Sequence, residues 1–93
     1  MNDILRSANE GRSTTTSDLI RKFITTNFYV ADADALGEQA SLLDEGVVDS
    51  TGVLEVIGFI ESEFGIAVED AEITPENFDS IDRIAAYVER KRA

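Results

Sequence analysis

The chain has 93 residues, 43% of them hydrophobic, and 8 basic residues stand against 19 acidic ones, giving a net charge of −11. This length predicts one small domain with a single modest core. The negative charge disfavours binding to nucleic acid or to an anionic membrane, because both are negatively charged themselves. Cysteine and histidine are both absent, which excludes disulfides, thiolate or histidine metal sites and Ser-His or Cys-His catalysis.

Residues 1–14 precede the first periodic segment and contain a single apolar pair, Ile4-Leu5. We predict that they form a flexible tail, and we assign the domain to residues 15–93. The first residues have no signal-peptide pattern, and no apolar run in the chain approaches transmembrane length. We therefore expect a cytoplasmic protein that does not insert into membranes.

The first helix is predicted over residues 16–28. Thr15 and Asp18 have the spacing of a capping box, with aspartate in place of the usual glutamate. Apolar residues then recur at helical spacing and indicate one buried face. They are Leu19, Ile20, Phe23, Ile24 and Phe28.

Residues 29–49 form a long connection. Loops of this length in a small domain are usually functional, or they pack through a few anchors. The expected anchors are Leu36, Leu42, Leu43 and Val47. Asp32, Asp34 and Gly37 are spaced as at the start of an EF-hand loop, but leucines occupy positions that need oxygen ligands. We therefore expect no metal site.

The second helix is predicted from Ser50 to Phe64, because its apolar residues repeat at helical spacing. They are Val53, Val56, Ile57, Ile60 and Phe64. Gly65 is placed to end this helix as a C-terminal cap.

The remaining chain predicts a short helix and a long one. Thr74 and Pro75 form a cap and a first helical residue, and they open a single turn that directs Phe78 inward. Ser80 caps the last helix, whose apolar stripe is Ile81, Ile84, Ala85 and Val88. The fold class is therefore all-α: a small bundle of three long helices and one short helix, with a long loop between the first two helices.

Ser50 at the start of the second helix allows two interpretations. Serine is a common N-terminal cap. A phosphate ester on the same hydroxyl would also be favoured, because free backbone N–H groups at a helix start attract anions. The residues around it decide between these interpretations.

The stretch Leu42-Leu43-Asp44-Glu45-Gly46, the dipeptide Asp49-Ser50, Glu55 and the run 60–66 resemble the acyl carrier protein family. The similarity extends over roughly residues 15 to 90. It implies that Ser50, within the Asp49-Ser50 attachment motif, carries 4′-phosphopantetheine taken from coenzyme A. The terminal thiol of that arm would hold acyl or aminoacyl groups as thioesters, and the chain itself would not be an enzyme.

The resemblance also implies partners. They are a phosphopantetheinyl transferase and acyl-loading and acyl-transfer enzymes with basic docking patches. The carrier itself is expected to be a monomer. Thr51, Gly52 and Gly58 depart from the residues common in the family, which favours a specialised pathway. Fatty-acid synthesis, polyketide synthesis and aminoacyl transfer all stay open.

An outer face of the second helix is the expected docking surface, because it places apolar residues among acidic ones. Its residues are Leu54, Glu55, Gly58, Phe59 and Glu61. Two interpretations stay open for Phe59, which could contact a partner or pack against the long loop. The alternative function for the whole chain is an unmodified acidic interaction module in which Ser50 is only a cap.

Overall fold

The computed structural model describes residues 15–32 and 35–93, and every regular element within these ranges is helical. The predicted flexible tail, residues 1–14, lies outside the described residues. The four α-helices are α1 (Thr16–Asn27), α2 (Ser50–Phe64), α3 (Pro75–Phe78) and α4 (Ile81–Arg92). The all-α prediction is confirmed, and the long loop connects α1 to α2.

Helix α1 begins at the predicted capping box. The Asp18 amide donates to Thr15 Oγ1 at 3.1 Å, and the Thr15 amide donates to Asp18 Oδ2 at 3.3 Å. Two of the four orphan amides of the first turn are thereby satisfied. Ile20 and Ile24 are fully buried, so the predicted stripe faces the core.

Helix α2 has the predicted boundaries. Val56, Ile57 and Ile60 are buried, and its end is fixed by Gly65. The φ angle of Gly65 is 68°, and its amide donates to the Glu61 carbonyl oxygen at 3.0 Å. This left-handed conformation is easily reached by glycine, which has no Cβ.

Helices α3 and α4 follow each other closely. Pro75 occupies the first position of α3, and Phe78 is buried, as predicted. Thr74 occupies the predicted N-terminal cap position of α3, but its side chain makes no capping hydrogen bond. Ser80 does cap α4, because its Oγ accepts a hydrogen bond from the Arg83 amide at 3.0 Å. A 3-10 turn, Asp70–Glu72, precedes α3, and the sequence pattern did not predict it.

The core forms where α1 and α3 pack against α4 and where α2 joins them. All four helices and the long loop contribute buried apolar side chains. The fully or nearly fully buried members are Ile20, Ile24, Leu42, Val48, Val56, Ile60, Ile81, Ile84, Tyr87 and Val88. No helix within residues 15–32 and 35–93 has the length and apolar character needed to cross a membrane.

The long loop packs through three of its four predicted anchors. Leu36 and Leu42 are buried, and Val47 packs half-buried against the core. Leu43 was a wrong prediction, because it is 44% exposed, and Val48 is buried instead. The reason is a turn in which the amides of Val47 and Val48 both donate to the Leu42 carbonyl oxygen, at 2.9 and 3.2 Å. The turn directs Leu43 outward and Val48 inward.

Asp79, between α3 and α4, holds this loop in place. Its Oδ2 accepts from the Ser41 hydroxyl at 2.6 Å, and its Oδ1 accepts from the Leu43 amide at 3.0 Å. Its backbone oxygen accepts from the Leu42 amide at 2.8 Å. Hydrogen bonds to a carboxylate are stronger than neutral ones, so this single residue fixes three successive loop residues.

A row of four phenylalanines joins α1 to α2. Phe23 stacks on Phe59, with ring centroids 4.2 Å apart and planes 13° apart. Phe28 meets Phe23 edge-on at 6.1 Å, and Phe64 meets Phe59 edge-on at the same distance. Such stacked and edge-on pairs are both favourable aromatic geometries. The row therefore links the end of α1 to the end of α2.

Glu72 in the 3-10 turn is the acceptor of a small polar cluster. Its carboxylate accepts hydrogen bonds from the Glu69 amide at 3.0 Å, the Lys91 ammonium at 3.0 Å and the Tyr87 hydroxyl at 2.8 Å. These donors, the Glu69 amide foremost, lower the pKa of Glu72 from 4.5 to about 2. Burial, together with the Glu72 carboxylate, raises the pKa of Tyr87 to about 12.

This cluster predicts a pH dependence of stability. Because the folded pKa of Glu72 is depressed, its stabilising effect is present above pH 4.5 and disappears as the pH falls towards 2. We expect Glu72→Gln to unfold at lower urea concentration than the wild type at neutral pH. The difference should shrink as the pH falls through this window. Urea titrations at several pH values measure it. The control is Glu63→Gln, at an exposed position on α2, and an equal pH trend in both variants would contradict the prediction.

Candidate functional site

The start of α2 is capped by Asp49. The Asp49 backbone is extended, with φ −101° and ψ −175°, and its Oδ1 accepts a hydrogen bond from the Gly52 amide at 2.7 Å. The interpretation of Ser50 as the N-terminal cap is therefore wrong. Both residues have suitable side chains, but the chain turns into the helix after Asp49, which leaves Ser50 as the first helical residue.

Ser50 is exposed at the first position of α2. The first intrahelical acceptor is the Asp49 carbonyl oxygen, which accepts a hydrogen bond from the Val53 amide at 3.0 Å. With the Gly52 amide held by the Asp49 side chain, the amides of Ser50 and Thr51 precede the first intrahelical bond. The first turn of α2 contains no acidic residue. The positive end of the helix is therefore open towards an anion.

This arrangement fits a phosphopantetheine group on Ser50. Its hydroxyl is solvent-accessible and makes no hydrogen bond among the described residues. Two free amides lie beside it, on Ser50 itself and on Thr51. A phosphodiester on Ser50 would meet hydrogen-bond donors and the helix dipole, and the cap on Asp49 would stay in place.

Gly52 explains one departure from the family pattern. A Cβ at this buried position would lie 2.7 Å from the Phe28 ring, 3.2 Å from Val48 Cγ1 and 3.3 Å from Asp49 Oδ1. Side chains do not approach each other this closely. Glycine is therefore needed for the end of α1 to pack against the first turn of α2. Phe28 was not predicted to be a neighbour of the site. The signal available was a glycine inside the first turn of a strongly periodic helix.

The outer face of α2 contains three of the five predicted docking residues. Leu54 is 64% exposed, and Glu55 and Gly58 are exposed as well. A Cβ at Gly58 would have nothing within 4 Å, so packing within the domain does not require glycine there. Gly58 leaves a bare backbone surface beside Leu54 and Glu55.

The other two predicted docking residues have partners inside the domain. Glu61 is half-buried, and its Oε2 accepts a hydrogen bond from the Val68 amide at 2.9 Å. Phe59 stacks on Phe23 of α1, so the suggested packing of Phe59 against the long loop is wrong. The helical pattern could not identify its neighbour, because Phe23 is equally consistent with the core stripe of α1.

No group of three or more acidic side chains within residues 15–32 and 35–93 is arranged to hold a metal ion.

Comparison with known proteins identifies the family. Residues 18–88 match the family model described as phosphopantetheine attachment site. The chain is 30% identical to a probable acyl carrier protein PigG of a Serratia species over 70 residues, which cover 75% of this chain and 80% of that protein. It is 40% identical to the D-alanyl carrier protein of Abiotrophia defectiva over 53 residues, 57% of this chain and 67% of that protein.

The solved structure of KstB-PCP in its apo form superposes with a TM-score of 0.65 and 38% sequence identity. The match covers 81% of this chain and 84% of that one. The helical bundle, the exposed serine at the start of α2 and the family match across residues 18–88 agree with one another. The chain belongs to the phosphopantetheine-attachment family of carrier proteins, whose domains carry covalently bound 4′-phosphopantetheine.

Proposed function

We propose that Ser50 is the attachment residue and that the chain carries acyl or aminoacyl thioesters between enzymes. One observation supports this most: the Ser50 hydroxyl is exposed at the first position of α2, and the capping bond is made by Asp49. Ser50 is thereby free to react. When bound, the phosphopantetheine arm supplies the thiol that this chain lacks.

The attachment reaction transfers the phosphopantetheine group from coenzyme A to Ser50. The Ser50 oxygen forms a bond to the phosphorus that bears the pantetheine arm of coenzyme A, and the diphosphate P–O bond breaks. Adenosine 3′,5′-bisphosphate leaves with the electron pair, and the serine proton passes to a base of the transferase. This chain contributes the nucleophilic oxygen and the amides of Ser50 and Thr51, which receive the phosphodiester. It contributes no catalytic base, and we infer that it is not an enzyme.

The cargo that we propose is an acyl or aminoacyl group of a specialised biosynthetic pathway. Relatives with this domain include a D-alanyl carrier protein and, at 33% identity over 70 residues, an aminoacyl carrier protein of Bradyrhizobium diazoefficiens. The departures at Thr51, Gly52 and Gly58 support a pathway other than housekeeping fatty-acid synthesis. The chain contains no cysteine, which is consistent with the cytoplasm, where we propose that it acts as a monomer.

The partners that we propose are a phosphopantetheinyl transferase and acyl-loading and acyl-transfer enzymes. The chain has 19 acidic and 8 basic residues, so basic patches on these enzymes would be attracted to it. Tethering of the cargo to Ser50 raises its concentration at each docked active site. Nucleic acid, with its own negative charge, is not expected to bind.

A mass measurement tests the attachment. Purified protein is incubated with coenzyme A, Mg²⁺ and a broad-specificity transferase, and its intact mass is compared before and after. We expect one phosphopantetheine adduct, which peptide fragmentation assigns to Ser50. An unmodified chain under conditions that load a control carrier would favour an unmodified acidic interaction module. An adduct on another serine would show that Ser50 is not the attachment residue.

The docking surface that we propose consists of Leu54, Glu55 and Gly58 on the outer face of α2. These residues begin one turn beyond Ser50, where a partner that receives the arm has to approach. Glu55→Lys should slow loading by the transferase on the order of tenfold at low salt, because complementary charge accelerates association. Leu54→Ala should slow it with little dependence on salt. Stopped-flow or timed mass measurements at several ionic strengths give these rates.

The matched control is Glu63→Lys. It makes the same charge change on the same helix, at another exposed position about 20 Å from Ser50 along the helix axis. Loading of this control should stay close to the wild-type rate. If Glu63→Lys slows loading as much as Glu55→Lys does, the effect comes from net charge and the proposed surface is wrong.

A further inference from the structure

A groove of about 310 Å³ lies between α1 and α2. The stacked rings of Phe23 and Phe59 line it together with Leu19. All three side chains are half-buried, so each keeps apolar surface in contact with solvent. The groove is separate from the proposed attachment site, because it lies along the second half of α2, at Phe59 and Glu63.

Two opposite charges border these apolar side chains. Lys22 of α1 and Glu63 of α2 also line the groove, and both are exposed. Within residues 15–32 and 35–93, neither of these side chains forms an ion pair or a hydrogen bond. A segment that fits the groove would therefore present apolar side chains flanked by one acidic and one basic residue.

The segment that precedes α1 has this pattern. In Asp3-Ile4-Leu5-Arg6, an acidic residue comes directly before the apolar pair and a basic residue directly after it. The two charges are complementary to those of Lys22 and Glu63 on the groove. This tetrapeptide belongs to residues 1–14, outside the described part of the chain, and the groove lies beside the helix to which those residues lead.

The connecting residues are long enough to bring the tetrapeptide to the groove. Residues 7–14 can span about 26 Å when extended. The rise of α1 from Thr15 to Phe23 is about 12 Å. Asn9 and Gly11 lie in the connection, and both residue types favour the turn that a reversal of the chain over α1 requires.

We propose that Asp3-Ile4-Leu5-Arg6 docks in this groove of its own chain. The apolar pair covers the stacked rings of Phe23 and Phe59, and burial of this apolar surface favours the contact. The flanking charges meet Lys22 and Glu63 and set the direction of the segment. Tethering gives an effective concentration of about a millimolar, so a weak contact is enough to populate the docked state.

The docked segment limits the apolar surface that α2 offers to other proteins. Phe59 directly follows Gly58, which belongs to the proposed docking surface. With the groove covered, the exposed apolar surface of α2 is confined to the side of Leu54, which is 64% exposed. The contact thereby restricts partner enzymes to the face of α2 nearest the proposed attachment residue.

A nitroxide on the segment tests this contact. The chain has no cysteine, so Ser7→Cys provides a single thiol in protein whose intact mass shows no phosphopantetheine. Paramagnetic broadening of amide signals then reports where the label lies. We expect stronger broadening at Phe23 and Phe59 than at Glu89. The Glu89 carboxylate accepts a hydrogen bond from the Thr16 hydroxyl, so it lies close to the start of α1 but outside the groove.

A charge swap connects the broadening to the proposed ion pair. Asp3→Lys should lower the broadening rate at Phe59 on the order of threefold, because repulsion replaces an exposed ion pair. Addition of Lys22→Glu to this variant should restore the rate. Glu10→Lys makes the same charge change elsewhere in the segment, and it should leave the rate at Phe59 unchanged.

Three results would overturn the proposal. Equal broadening at Phe59 and Glu89 would show that the segment does not prefer the groove, which would then be open to a partner protein. Equal effects of Asp3→Lys and Glu10→Lys would assign the contact to net charge. Broadening of an isotope-labelled chain by a nitroxide on a separate chain would show that the segment of a second copy occupies the groove.

Discussion

Ser50→Ala is expected to accept no phosphopantetheine while keeping the melting temperature of the wild type nearly unchanged. The substitution removes the nucleophilic oxygen that we propose for attachment. It does not remove the helix cap, because the Gly52 amide donates to Asp49 Oδ1. Alanine is also favourable inside a helix. Intact mass after transferase treatment and a thermal melt measure the two effects.

Asp49→Ala is the counterpart of this variant. Loss of the capping acceptor should destabilise the domain by about 0.5–2 kcal/mol, although the Ser50 hydroxyl is retained. Asp49→Asn keeps an acceptor for the Gly52 amide and should restore most of that stability. Any loading defect of Asp49→Asn then reflects the carboxylate of the attachment motif rather than the cap. A Ser50→Ala protein that still gains the adduct, or that melts as low as Asp49→Ala, would contradict the assignment.

Gly52→Ala should destabilise the domain, and Gly58→Ala should stabilise it. The same change is made twice in α2, but a Cβ at Gly52 would lie 2.7 Å from the Phe28 ring, whereas one at Gly58 meets nothing within 4 Å. Overpacking of this kind costs about 1–3 kcal/mol. At Gly58 no clash opposes the gain in helix propensity, which should stabilise the domain by about 0.5–1 kcal/mol. Urea denaturation of the two variants gives both free energies.

A double-mutant cycle with Phe28→Leu identifies the clash. The smaller, non-planar side chain at position 28 should make Gly52→Ala less destabilising than it is beside phenylalanine. The effect of Gly58→Ala on the free energy of unfolding should be the same with phenylalanine or leucine at position 28. If Gly52→Ala is as harmless as Gly58→Ala, the first turn of α2 adapts easily and Phe28 does not constrain it.

Much of this fold was predictable because its helices have strong apolar periods and clear terminal residues. The boundaries of α2 followed from a stripe that starts at Val53 and from Gly65 at the end. Ser80 likewise marked the start of α4. In each case the decisive interactions lie within a few residues along the chain, where helix geometry relates sequence spacing directly to position.

The errors arose where the outcome depends on distant or irregular contacts. Asp49 and Ser50 can both cap a helix, and only the backbone angles decide which one does. Val48 is buried in place of Leu43, because an irregular turn has no helical or strand periodicity from which burial could be predicted. Phe59 contacts Phe23, 36 residues earlier in the chain. The attachment motif was recognisable from its sequence, but the packing beside it depends on how Phe28 meets Gly52.

The bonds made by Asp79 have a consequence for the motions of the long loop. Ser41, Leu42 and Leu43 have no regular secondary structure, yet each donates a hydrogen bond to this one residue at the junction of α3 and α4. The segment that leads to Ser50 should therefore open together with the α3–α4 unit. In hydrogen exchange, the amides of Leu42 and Leu43 would be protected to the same degree as that unit. A partner that binds α3 would thereby restrain the approach to the serine without touching it.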